Sequence, residues 1–234
     1  MSANNGYLQS RVQARYALLP DERLWLRLAA LKELASFMEE ARSTQLLQWV
    51  LGLSSHSSAE EIESHLRHRF ADSITEVASW FRSEWRPAVY WLTTLDQLPA
   101  LEHALRSSDL SAVAGMVPET RELTELRHRE RDLRQVWISS WRSRWPALSR
   151  GDRQGVESLL EMVERHWLGF PRLSVDKTWK ARRDLEERIR LFFRSHLLQP
   201  AAAFAYLVLV ALSLERLRAE LLSRALFNQQ AVLS

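Results

Sequence analysis

The sequence predicts an all-α protein, a multi-helix bundle of roughly eight helices. Only 6 glycines and 7 prolines occur among 234 residues, so signals for β-turns are few. Alternation of apolar and polar residues with period two never persists, whereas apolar residues three and four positions apart recur along the chain. A hydrophobic content of 46% with 26% charged residues is typical of a globular protein and excludes a disordered chain.

Capping and breaking residues divide the first half of the chain. Pro20 is expected to end the first helix, and Asp21 is placed to cap the second, whose 3–4 apolar spacing then continues. Ser58 and Glu61 have the spacing of a capping box, which predicts the start of a third helix. The helices expected here cover about 7–19, 22–41, 59–80 and 87–106, followed by a connection over 107–118.

The second half is expected to begin with a long charged helix. Pro146, Gly151 and Gly155 are expected to break the helical pattern, because proline and glycine interrupt helices. A loop containing "LGFPRLSVDK" separates the two helices that come after this break. The helices expected in this half cover about 119–145, 156–167 and 178–196, with a last helix that begins at Pro200.

The last helix opens with fourteen residues, 201–214, that carry no charge. At about 1.5 Å per residue they reach about 21 Å, whereas a bilayer core measures about 30 Å. Beyond this run a single apolar stripe continues through Leu217 and Leu221, and Arg216, Glu220 and Arg224 lie off it. The segment is therefore predicted to be a buried core helix and not a membrane span.

Charge is divided unequally along the chain. Residues 1–109 hold 11 basic against 14 acidic residues, and residues 110–234 hold 21 against 15. These ranges are taken as N-terminal and C-terminal helical halves of one continuous α-helical body. Cysteine is absent, which excludes disulfides and thiolate metal sites and suits a reducing cytoplasm. The first residues lack the basic start and apolar run of a secretion signal.

A similarity between two segments of the chain suggests degenerate helical repeats. "WFRS" at 80–83 precedes Pro87, and "FFRS" at 192–195 precedes Pro200. Leu-Glu and then Leu-Arg come after each proline at nearly equal distances. Coincidence explains the few shared residues as well as common ancestry does.

Two groups of residues are candidates for partner contact. Trp137, Trp141 and Trp145 recur every four residues on one helical face, where core packing is the first interpretation and a helix-docking stripe the second. Arg11 and Arg15 form a basic edge opposite apolar positions of the first helix. A solvated face explains this edge, and contact with an acidic partner subunit or lipid headgroups is the functional alternative.

Other chemistries receive little support from the residues. Glu61, His65 and His68 lie on one side of a predicted helix, but a closed metal site needs further ligands, so surface histidines are expected. Nine arginines over 121–153 are diluted by five acidic residues, and no nucleic-acid-binding motif accompanies them. Phosphate-loop, dinucleotide, nucleophile-elbow and zinc-protease motifs are absent. No catalytic residue, cofactor, metal or nucleic-acid partner is therefore expected.

Both ends of the chain resemble the C-type subunit of V/A-type rotary ATPases, which is the equivalent of the eukaryotic d-type subunit. The first 106 residues contain "YLQSRVQARYALL", "LAALKELASFMEEARST" and "LTTLDQLPALEHALR", which are similar to successive segments of that family. The last 50 contain "DLEERIRLFFRSHLLQPAAAFAYLVLVALSLERLRAELLSRAL", which is similar to its last two helices. The chain departs from the family at Ala100, where the family has asparagine, at the corresponding place before Leu217, and in its shorter length.

The resemblance implies a mechanical part and no enzyme. In this family the C-type subunit is a helical funnel that rests on the membrane rotor ring and receives the tip of the central shaft. The expected partners are therefore the central-shaft subunits and the rotor ring, with membrane contact only through the complex. The expected location is cytoplasmic, peripheral to the cytoplasmic membrane. The alternative is a helical adaptor that binds another protein or a membrane surface.

Overall fold

The computed structural model describes residues 3–107, 132–169 and 175–232. Within these ranges every regular element is helical and no strand is present, which confirms the all-α prediction. Nine of the α-helices in the described ranges have eight residues or more, close to the roughly eight expected. The α-helices are α1 Ala3–Tyr16, α2 Glu22–Ala29, α3 Leu34–Arg42, α4 Leu47–Val50, α5 Ala59–Trp80, α6 Arg86–Tyr90, α7 Leu98–Ser107, α8 Leu133–Ser143, α9 Arg150–Gly169, α10 Val175–Ser195 and α11 Pro200–Val232.

The chain divides into two compact units. The terminal unit comprises Met1–Ser73 with Arg150–Ser234, and the middle unit comprises Ile74–Ser149. This division differs from the halves expected at 1–109 and 110–234, because α11 packs against α1 and α3. The two ends of the chain therefore belong to the same packed body.

Helix α11 forms the centre of the terminal unit. Its residues Ala201 to Leu207 are all buried, and α1, α9 and α10 pack around it. Residues Pro200–Leu226 have the length and composition of a membrane span, yet 72% of the most apolar window is buried inside the fold. This burial supports the prediction of a core helix, because the apolar side chains are already covered by protein.

The predicted caps are confirmed. The Leu24 amide donates to Asp21 Oδ1 at 2.8 Å, so Asp21 caps α2. The Ser58 amide donates to Glu61 Oε2 at 2.8 Å, and the Glu61 amide donates to Ser58 Oγ at 3.2 Å. This reciprocal pair satisfies two amides at the start of α5, as the spacing predicted.

Four predicted boundaries are wrong. The helix expected over 22–41 is two helices, α2 and α3, which residues 30–33 separate. The long helix over 119–145 does not run through Asp132, which has an extended backbone and caps α8 through the Arg134 amide at 3.0 Å; residues 108–131 lie outside the described part. Gly151 and Gly155 lie inside α9 and do not break it. The helix expected over 87–106 is interrupted by a 3₁₀ segment, Trp91–Gln97, between α6 and α7.

The suggested repeat stays a prediction. Pro87 and Pro200 both lie in the first turn of a helix, where the missing amide proton costs no hydrogen bond. After Pro87, α6 gives way to the 3₁₀ segment, whereas α11 continues for 33 residues. The two segments therefore share a helix start and differ in the length and regularity of the helix beyond it.

Candidate functional site

The tryptophan stripe lies in the core of the middle unit. Trp137 and Trp141 are 2% and 4% exposed. The indole N–H of Trp137 donates to Thr94 Oγ1 at 2.7 Å, and that of Trp141 donates to the Ala88 carbonyl at 2.9 Å. Because both rings are buried and their polar atoms are satisfied, the structure supports core packing for these two residues and not contact with a separate partner.

Trp145 ends the stripe at a half-buried position. Its ring meets the Trp141 ring edge-on, with centroids 5.1 Å apart. The neighbouring Arg144 guanidinium lies 3.7 Å from the centroid of the Trp91 ring, a cation–π contact that covers this core from one side. Of the three predicted tryptophans, Trp145 is thus the least buried, although its indole nitrogen is itself buried and has no hydrogen-bond partner in the described part of the chain.

The basic edge of α1 is at the surface, as its spacing indicated. Arg11 is exposed, and its guanidinium lies 5.3 Å from the centre of the Tyr7 ring. Arg15 is half-buried, while Leu8 and Val12 on the other side of the helix are buried. Arg11 is therefore available to a partner in solution.

The two histidines of α5 serve structural hydrogen bonds. His65 Nε2 lies 3.0 Å from the Trp49 carbonyl, and His68 Nδ1 lies 2.7 Å from the Ser64 carbonyl. Burial lowers the pKa of His65, so the ring favours its neutral form. Glu61 is engaged in the helix cap. In the part of the chain that the structure describes, no three His, Asp or Glu side chains are grouped as a metal site requires.

Arginines of the last two helices bind the N-terminal segment. Arg190 donates to the Pro20 carbonyl at 3.0 Å, and Arg216 donates to Glu22 Oε2 at 2.6 Å. Arg224 is 7% exposed and donates to the Leu31 carbonyl at 2.8 Å and to the Leu28 carbonyl at 3.3 Å. These contacts join residues about 170 to 196 positions apart in sequence and fix α2 on α11.

Two carboxylates pair with arginines of α11: Glu22 of α2 pairs with Arg216, and Glu63 of α5 pairs with Arg218. Hydrogen bonds from Arg216 lower the pKa of Glu22, and hydrogen bonds from Arg218 lower the pKa of Glu63. Both acids therefore stay ionised at neutral pH and remain paired. Arg218 is 47% exposed, so its pair is more screened by water than that of Arg216, which is 17% exposed.

The contacts of these arginines with α2 were not predicted from the sequence. Arg216 and Arg224 lie off the apolar stripe of the last helix, and that position indicates exposed side chains. Helical periodicity shows which side of α11 these arginines occupy. It does not show that α2 packs against that side. An arginine one helical turn from buried leucines was the available signal, since its long stem can reach a neighbouring carbonyl.

The comparisons with known proteins bring no further information. No family model, no curated protein and no solved structure matches this chain. The functional interpretation therefore depends on the residues and on the geometry described above. The arrangement offers two compact helical units that present charged and apolar groups at their surfaces.

Proposed function

We propose that this protein is a non-catalytic central-stalk subunit. It couples the rotor shaft to the membrane rotor ring of a V/A-type ion-translocating ATPase. Its partners are the central-shaft subunits and the ring, and its location is cytoplasmic, at the membrane periphery. The proposal starts from the resemblance of both chain ends to the C-type subunit of these ATPases.

One observation supports this proposal above the others. Three of the four segments that carry the resemblance, residues 7–19, 28–44 and 184–226, fold into the terminal unit, where α1 packs on α11. The fourth segment, residues 92–106, lies in the middle unit. A subunit that transmits torque needs a body that does not shear between its first and last helices. In the same unit, Arg190 of α10 and Arg216 and Arg224 of α11 bind residues 20–31, in and around α2, with charge-assisted hydrogen bonds, which are stronger than neutral ones.

Co-expression with the predicted partners tests the proposal. The chain is produced with the shaft and ring subunits of the V/A-type ATPase from its own genome, and complexes are isolated through an affinity tag on the shaft. We expect a stable complex that contains this chain. If neither shaft nor ring subunits retain it, the proposal is wrong and the helical-adaptor alternative takes its place.

A charge-reversal variant makes the test specific. Arg11→Glu reverses an exposed charge on α1, the edge expected to meet a partner, and should reduce recovery of the complex several-fold. Arg23→Glu is the matched control, since Arg23 is also exposed and lies in the same unit. Equal recovery of both variants with the wild-type protein would exclude the α1 edge as the contact.

A further inference from the structure

Three elements meet at the turn between α10 and α11, residues 196–199. The Leu198 amide donates to Gln9 Oε1 of α1 at 2.8 Å. Gly155 of α9 lies so close that a Cβ atom there would come within 2.7 Å of Gln199 Oε1 and 3.2 Å of Ala201 Cβ. The turn is therefore held from two sides, and its conformation is fixed by packing.

Two leucines are displayed at this turn. Leu197 is 39% exposed and Leu198 is 43% exposed. Leu198 has a φ of 71°, the only positive value at a non-glycine position in the described residues. A left-handed backbone is unfavourable for a residue with a Cβ atom, and glycine is the usual choice after a helix. Leu198 is thus unfavourable in two respects, because its apolar side chain is exposed to water and its backbone is left-handed. A residue that is kept under such strain points to a function for its side chain.

The charge around the two leucines is positive. Residues 3–20, which include α1, contain no Asp or Glu, and neither do residues 188–214 on both sides of the turn. Arg194 is exposed on α10, four residues before Leu198. Arg11 and Arg153 are exposed on α1 and α9, and each is two residues along its helix from the residue that contacts the turn. Helix α9 contributes two acidic residues close to Gly155, the half-buried Asp152 and Glu157. This end of the terminal unit therefore presents apolar side chains among arginines.

We propose that this end is a membrane-binding tip that docks on anionic lipid. The leucine tip consists of Leu197 and Leu198 with Arg11, Arg153 and Arg194. The leucines enter the boundary between headgroups and acyl chains, where burial of apolar area is favourable. The arginines contact lipid phosphates, and each basic residue near an anionic surface adds to the attraction. The absence of acidic residues from 3–20 and 188–214 favours this partner over a protein surface of mixed charge.

The leucine tip goes beyond the proposed function and does not rest on it. A coupling subunit needs contact with the shaft and the ring, and the sequence-based expectation places membrane contact only in the complex. Direct binding of lipid by the isolated chain is a separate property. It is measured without any ATPase subunit. Arg11 enters both proposals, whereas Leu197 and Leu198 enter only this one, so the leucine variants distinguish the failure of one proposal from the failure of the other.

Vesicle flotation with the purified full-length chain tests the tip. Vesicles of phosphatidylcholine with phosphatidylglycerol are compared with vesicles of phosphatidylcholine alone, at low and high salt. We expect binding to the anionic vesicles that weakens with salt, because exposed charges are screened. Leu197→Ser with Leu198→Gly should weaken binding about tenfold or more, since two leucines lose their apolar contact.

The thermal midpoint of the double variant shows whether it is still folded. Glycine at 198 relieves the positive φ, so the thermal midpoint of this variant should stay within a few degrees of the wild-type value. The matched control is Leu26→Ser with Leu51→Ser, which removes two more exposed leucines from the same unit, 63% and 58% exposed. This control should bind vesicles as the wild-type protein does.

A second pair of variants tests the charge. Arg11→Gln with Arg194→Gln should reduce binding to anionic vesicles and remove part of its salt dependence. The proposal is overturned if the wild-type chain does not float with anionic vesicles, or if the tip and control leucine variants bind equally. Concentration-dependent self-association that the tip variant abolishes, without vesicle binding, would identify a second copy of this chain as the occupant and would also overturn it.

Discussion

The buried Arg224 supplies hydrogen-bond donors at the C-terminal end of α2. The last carbonyls of a helix have no intrahelical partner, and leaving them unpaired in a packed interior is costly. Arg224 meets this need, since its guanidinium donates to the Leu28 and Leu31 carbonyls, at the end of α2 and just beyond it. The same group lies 4.4 Å from the centre of the Phe37 ring. One side chain from α11 therefore closes α2 and contacts α3.

Replacement of Arg224 is expected to be strongly destabilising. Arg224→Ala removes the side-chain donor from the Leu31 carbonyl and one of the donors from the Leu28 carbonyl, which also accepts from the Leu31 amide at 3.1 Å. Because these groups are covered by protein, the variant should lower the free energy of unfolding by about 3 kcal/mol. Arg218→Ala is the control, because Arg218 is largely exposed and its ion pair should contribute less than about 1 kcal/mol. Urea unfolding followed by circular dichroism measures both. Similar losses for the two variants would contradict this account.

His65 is expected to make stability depend on pH. Burial lowers its pKa in the folded protein below the ordinary value of about 6.5, and Arg69 and His68 act in the same direction. The hydrogen bond with the Trp49 carbonyl and the charge of Asp72 oppose this shift without reversing it. The unfolded chain then binds the proton more readily. The stabilisation is complete above the unfolded pKa and is lost as the pH falls toward the folded one.

Glutamine at position 65 separates titration from hydrogen bonding. His65→Gln keeps a nitrogen donor for the Trp49 carbonyl and removes the ionisable ring. We expect the loss of stability between about pH 7.5 and pH 5.5 to be smaller in this variant. Part of the dependence should remain, because burial also lowers the pKa of His166. Thermal unfolding across this pH range checks the result, and an unchanged slope would count against it.

At the level of elements, α9 shows how packing decides the role of a glycine. A methyl group placed on Gly151 would have no atom within 4 Å, whereas Gly155 lies against the α10–α11 turn. Glycine is a poor helix former because it gives up the most backbone freedom on folding. At Gly155 the absence of a Cβ atom allows the close approach, which outweighs this disadvantage.

The two glycines of α9 should respond oppositely to alanine. Gly151→Ala is expected to raise the free energy of unfolding by up to about 1 kcal/mol. Gly155→Ala should lower it by about 1 kcal/mol, since Ala201 Cβ at 3.2 Å and the His196 ring at 3.3 Å must move. Denaturant unfolding of the two single variants measures the sign. Stabilisation by both would show that the turn adapts freely.

Element boundaries could be predicted from the sequence where local chemistry sets them. Asp21 and the Ser58–Glu61 pair are satisfied by amides within a few residues, so their spacing alone predicted the caps of α2 and α5. Asp132 is a cap of the same kind, but the run of charged residues before it was interpreted as continuous helix. Helical spacing of charges does not distinguish one long helix from a helix that begins within it.

For the whole molecule, the terminal unit unites the first and last helices. Because α1 packs on α11, the stability of the last helices depends on residues at the start of the chain. Val12 is 1% exposed on α1. A disturbance there should thus be detected far away in sequence.

A charge at Val12 is the corresponding test. Val12→Asp buries a carboxylate without a partner, which costs several kcal/mol. Hydrogen exchange should then show reduced protection in α9, α10 and α11 as well as in α1. Val12→Ala is the milder control and should produce a smaller change in the same helices. Reduced protection confined to α1 would indicate that α10 and α11 are stable without it.

The sequence by itself determined the fold class, the caps and the core character of the last helix. Each of these depends on residue spacing over a few turns, which local backbone geometry and hydrophobic burial translate directly into structure. The tertiary structure decided that the two chain ends form one unit, that Arg224 is buried, and that Leu197 and Leu198 remain exposed beside arginines. Such outcomes depend on contacts between residues up to nearly two hundred positions apart, and no local spacing encodes which helix will cover which.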